Sequence, residues 1–195
     1  MPDIEIFENI KSRVLDKLRV GLSGNLHYHG IRHTLDVIEQ SERIAKEEKV
    51  NNEDMLLLKL AGLYHDSGFL VTYMGHEAAG CRFAKEDLPM EGFSEEQINI
   101  ICGLIMATKL PQSPVTKLEE IICDADLDYL GRDDFFEISN SLFLEFKERN
   151  FVSNEQEWNK RQLDFFKQHH YFTVTNTKLR EPQKLKHLSM IEAMG

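Results

Sequence analysis

Between Leu56 and Gly68 the chain reads LLLKLAGLYHDSG, a nearly unbroken apolar run that closes on two ionisable residues, His65 and Asp66, before it breaks at glycine. A helix that is apolar all round must be packed by neighbours over its whole surface, so the segment from Glu53 to Tyr64 predicts the central helix of a bundle. Asn51 and Asn52 supply capping oxygens at its start, and Gly68 supplies its stop. An ionised carboxylate at the end of such a helix is strongly disfavoured unless its charge is compensated. Two compensations are open at this point: a helix-end salt bridge or cap, or a divalent cation, for which neutral imidazole and carboxylate are both good ligands.

Outward from that helix, apolar residues recur at helical spacing almost everywhere, beginning with Ile6, Ile10, Val14 and Leu18, and the alternation of a strand is hard to find. The expected class is therefore all-α. A first helix should stop near Gly21 and Gly24, and after the loop NLHYHG a second should run from Ile31 to about Glu48. Further helices are predicted from Met74 to Asp87, Ser94 to Ala107, Lys117 to Leu130, Asp133 to Arg149 and Asn154 to His169, with prolines and glycines between them. The closing segment, from Tyr171, predicts an extended opening and a short final helix with Pro182 in its first turn. That segment is placed either back on the body or in self-association, which would make a homodimer.

The 195 residues suffice for one substantial core, and 42% hydrophobic with 29% charged residues are globular proportions. No apolar run approaches a membrane span, and the acidic start MPDIEIFENI has neither the basic nor the apolar block of a signal peptide. The expected location is the cytoplasm, with no membrane partner. A net charge of -10, without zinc-finger spacing or a basic stripe, argues against nucleic acid as a partner. Cys81, Cys102 and Cys123 are odd in number and lack CxxC spacing, so they read as core thiols.

A His-Asp pair alone is weak evidence for a metal, and companions are needed. His33 falls at the edge of the apolar stripe of the second helix, where an inward-reaching ligand belongs. In LEEIICDADLDYLG, Asp126 lies at one edge of the apolar face and Asp128 at the other, and periodicity does not choose between them. An exposed acidic helix is the plain alternative.

Taken together, YHGIRHTLDVI around His33, LAGLYHDSG around His65 and Asp66, and IICDADLDYLGRDDFFEI around Asp126 resemble the HD phosphohydrolase superfamily, in particular its soluble single-domain predicted hydrolases. The likeness runs from about Tyr28 to beyond Phe172. It implies an HD-like helical bundle forming a single domain over residues 1–195, with a motif core at about 28–150 and a C-terminal helical extension at about 151–195. It implies the metal ligands His33, His65, Asp66 and Asp126, the last being the aspartate of an Ala-Asp pair, around a divalent ion such as Mn²⁺, Fe²⁺, Mg²⁺ or Zn²⁺.

The activity so implied is metal-dependent hydrolysis of a phosphomonoester or phosphodiester of a small metabolite, nucleotide-like, with Asp66 both ligand and catalytic residue. Charge developing at phosphorus needs cations, for which Arg32 and Lys109 are the expected donors. His76 and Glu77, at a predicted helix start, are expected as a phosphate contact, an outer ligand or a proton-transfer group. Thr108 stands near the point where two-metal relatives carry a histidine, which favours one tightly bound ion, or a second held weakly with the help of substrate. His29, four residues before His33, suggests a zinc pair on one helical face, but Gly30 between them argues for a loop boundary, and His29 is a candidate pocket residue beside that plainer reading. The competing reading is a non-catalytic ligand-binding or regulatory module on the same fold.

Overall fold

The computed structural model describes residues 2–194, which among them form ten α-helices and three 3-10 segments with no strand. They are α1 (Pro2–Gly21), α2 (Ile31–Glu47), α3 (Asn52–Tyr64), α4 (His76–Asp87), α5 (Glu95–Ala107), α6 (Lys117–Asp126), α7 (Phe135–Glu148), α8 (Glu155–Gln168), α9 (Val174–Leu179) and α10 (Glu181–Met194). No helix among them is long and apolar enough to cross a membrane.

As its composition predicts, α3 is the centre: α1, α2, α4, α5 and α6 all pack on it. Leu57, Leu58, Leu60, Ala61, Leu63 and Tyr64 are buried, at about 1.5–3 kcal/mol for each large apolar side chain removed from water. Starts are set locally. The Asn51 side chain accepts from the Asp54 amide at 2.9 Å, and Ser94–Gln97 and Thr116–Glu119 form reciprocal capping boxes at α5 and α6. A second, aromatic-rich core joins Leu127, Leu130 and Phe135 to Phe166 of α8 and Ile191 of α10, so the C-terminal helices pack back on the body.

Three expectations need correction. The sixth helix stops at Asp126 rather than Leu130, because the chain tightens at Leu127 into the 3-10 turn Asp128–Gly131. There the carbonyls of Leu127 and Asp128 accept from the Tyr171 hydroxyl. The fourth helix begins at His76 rather than Met74, since Gly75 takes a left-handed conformation with φ 73°. In place of one short closing helix there are two, α9 and α10. The stretch before them is irregular, and its Phe172 and Thr173 amides and Thr173 hydroxyl bond to the Asp124 side chain of α6. Pro182 does sit in the first turn of α10.

Gly68 positions the site. A Cβ there would overlap the backbone carbonyl of His76, so only glycine lets the first turn of α4 lie against the end of α3. His76 and Glu77 are thereby brought next to the His65–Asp66 doublet.

Candidate metal centre

His33 projects inward from the first turn of α2, His65 caps the end of α3, Asp66 opens the following 3-10 turn, and Asp126 is the last residue of α6. Their polar atoms converge. His33 Nε2 lies 3.2 Å from His65 Nε2, 3.5 Å from Asp66 Oδ2 and 3.1 Å from Asp126 Oδ1. His65 Nε2 lies 3.2 Å from Asp66 Oδ2 and 3.7 Å from Asp126 Oδ1. Such separations are those of neighbouring ligands on an ion with bonds of about 2.1 Å.

Two details test whether these residues suit a cation. His65 Nδ1 donates to the Gly62 carbonyl at 2.8 Å, which in the neutral ring leaves the Nε2 lone pair directed at the cluster. Asp66 Oδ2 is buried with no hydrogen-bond partner, a costly arrangement for a carboxylate unless a positive charge faces it. The donor set therefore fits a divalent metal held by two imidazoles and two carboxylates. The carboxylates also favour positive charge at this point, whether a proton on His65 or a cation that displaces it. Burial disfavours protonated His65, yet Asp66 and Asp126 outweigh it and hold its pKa at about 9. Burial likewise opposes the Asp66 carboxylate, but His65 and His76 keep its pKa well below the usual range.

Beside the cluster opens a cavity of about 420 Å³, a size common among small-ligand sites. Asp66, His76, Glu77, Thr108, Lys109 and Asp126 line it near the cluster, and Phe146, Trp158 and Phe165 of α7 and α8 line it elsewhere. His76 Nδ1 donates to the Tyr73 carbonyl, and Nε2 faces Asp66 Oδ1 at 3.4 Å. Glu77 is buried, with Oε1 3.8 Å from His76 Nε2. Lys109 is exposed at the wall and has no ion pair among the described residues. Arg32 is not brought to the site: it is exposed and outside the cavity wall, because one step along α2 from the inward-facing His33 turns it through about 100°.

The sequence reading missed a fifth participant. Glu145 of α7, fully buried, accepts from the amides of Tyr28 and His29 at 2.9 and 3.1 Å, from His29 Nδ1 at 2.5 Å and from the Tyr73 hydroxyl at 2.9 Å. Burial alone would raise its pKa, but the His29 ring and the two amides bring it down to about 2. With Nδ1 engaged, Nε2 is the nitrogen of His29 left for the cavity it lines. A signal existed, since Glu145 follows Ile138 by seven and Leu142 by three, on the apolar stripe of its helix. Arg161 of α8, over the Phe146 ring at 5.1 Å, is a further cavity residue not anticipated.

An all-helical bundle presenting a His-His-Asp-Asp cluster at the end of its central helix defines a class of metal-site helical proteins. Residues 30–128 match the HD domain family, and the chain belongs to that family. Its fold is similar to the crystal structure of a predicted HD superfamily hydrolase from an uncultured Thermotogales bacterium. The TM-score is 0.61 over 94% of this chain and 90% of that one, at 21% identity. No curated protein matches the sequence.

Proposed function

We propose that the protein is a metal-dependent phosphohydrolase, cleaving a phosphomonoester or phosphodiester of a small, nucleotide-like metabolite. The observation that carries this reading is the convergence of His33, His65, Asp66 and Asp126 around an Asp66 oxygen that no protein donor satisfies. A divalent cation in this set supplies Lewis-acid polarisation of a phosphoryl oxygen and a water of lowered pKa.

The chain's own residues supply the rest. Lys109, at the cavity wall, offers positive charge to the substrate phosphate. Glu145 orients the His29 ring through Nδ1, which leaves Nε2 on the cavity side for proton transfer with the departing oxygen. His76 faces the Oδ1 side of Asp66, and Glu77 sits on the same His76 nitrogen. Phe69, Tyr73, Phe146, Trp158 and Phe165 exclude water and give a planar organic group an apolar wall, which supports a nucleotide-like substrate.

The test is elemental analysis of wild type and Asp66→Ala, followed by a panel of phosphomonoesters and phosphodiesters with Mn²⁺, Fe²⁺, Mg²⁺ or Zn²⁺. Near-stoichiometric metal in the wild type, its loss in the variant and metal-dependent turnover are expected. Bound metal without turnover of any ester favours a ligand-binding module, and a wild type that takes up no metal sinks the reading.

A further inference from the structure

We infer that the C-terminal segment Tyr171–Arg180 is a positioning element for the ligand Asp126, acting chiefly through Asn176. The inference rests on the metal reading above. Asp126 is the final residue of α6, where backbone carbonyls lose their helical partners and the chain is free to fray. Here one of them, the Asp124 carbonyl, is taken up by a residue 52 positions later. Asn176, fully buried, donates from Nδ2 to the Asp124 carbonyl at 3.2 Å and to Asp128 Oδ1 at 3.0 Å, bracketing Asp126 on both sides. Thr173 donates its amide and hydroxyl to Asp124 Oδ2 at 2.9 and 2.6 Å. Arg180 donates from Nε to Asp128 Oδ1 at 3.0 Å and sets Nη2 2.9 Å from Oδ2 as an ion pair.

None of these bonds goes to the Asp126 carboxylate, which stays with His33. The neighbouring aspartates are consumed, and Asp126 is held between them with its side chain directed at the cluster. Contact is close here too: a Cβ on Gly131, the last residue of the 3-10 turn, would overlap the Arg180 carbonyl. A helix end bonded on both flanks has few ways to move its last side chain, and outer partners of metal ligands commonly govern affinity for the ion.

Thr175 offers an internal control, because it lies on the same short helix but bonds to Glu48 of the α2 terminus through its amide and hydroxyl at 3.1 and 2.7 Å, away from Asp126. The experiment is Mn²⁺ titration of the full chain, with free Mn²⁺ read by electron paramagnetic resonance, on wild type, Asn176→Ala and Thr175→Val. Circular dichroism runs in parallel. Asn176→Ala should weaken Mn²⁺ about 10- to 100-fold, while Thr175→Val stays within about twofold even where both melt earlier. Wild-type affinity in Asn176→Ala, or equal weakening in both variants, overturns the inference while leaving the metal reading in place. A wild type that binds no Mn²⁺ here and no other divalent metal on elemental analysis removes both, and one that holds Zn²⁺ or Fe²⁺ instead is titrated with that ion to the same criteria. Should Asn176→Ala lack the wild-type spectrum, Thr173→Val decides: a loss of at least about threefold is expected, and unchanged affinity overturns.

Discussion

Replacing Glu145 by glutamine probes the one buried carboxylate that ties the loop before α2 to α7. The two amides share Oε2, while the His29 ring and the Tyr73 hydroxyl share Oε1, so a carboxamide can accept from one pair only and turns its NH₂ toward the other. The magnitude follows from the proton. A carboxyl brought from 4.5 to about 2 in the folded chain corresponds to roughly 3 kcal/mol, at about 1.4 kcal/mol per pH unit. Because the folded pKa is the depressed one, that stability is fully present above about pH 4.5 and is lost as pH falls through about 2. Urea unfolding of wild type and Glu145→Gln, followed by circular dichroism from pH 7 to pH 3, reads the difference directly. Near neutrality the variant should be less stable by about 3 kcal/mol, melting roughly 6–12 °C lower, and the gap should narrow steadily below pH 4.5. A difference under about 1 kcal/mol at pH 7, or one that stays constant down to pH 3, would show that the four donors do not hold the carboxylate as argued.

Other expectations follow from the core and the cavity. Leu58→Ala, at a fully buried position of α3, should cost about 2–5 kcal/mol, read as an earlier thermal melt; a cost below about 1 kcal/mol would deny α3 its central place. His29→Gln should lower kcat about 10²- to 10⁴-fold with metal content unchanged, and a kcat within tenfold of wild type would remove it as the proton donor. Lys109→Ala should raise KM about 10- to 100-fold and spare the metal, as expected for losing one charged contact to phosphate; an unchanged KM would place the lysine outside substrate contact.

What the sequence determined by itself is what depends on near neighbours. An all-apolar helix must be central, asparagine, serine and threonine at helix starts must cap, and the doublet at Gly68 is legible because its residues are adjacent. Periodicity also places a side chain on a face, which is why His33 was correctly read as inward. It does not say which partner waits there. Asp124, Asp126 and Asp128 look alike by periodicity; the family resemblance points to Asp126, and the tertiary structure gives the physical reason. Asp128 is taken by Arg43 and Arg180, 85 and 52 residues away, and Asp124 by Thr173, 49 residues away, leaving Asp126 to meet His33. Glu145 was missed for the same reason, since its four donors lie more than seventy residues from it in the chain. Burial turns those distant meetings into requirements: a carboxylate removed from water must find its donors wherever the fold brings them, and that choice is made in three dimensions.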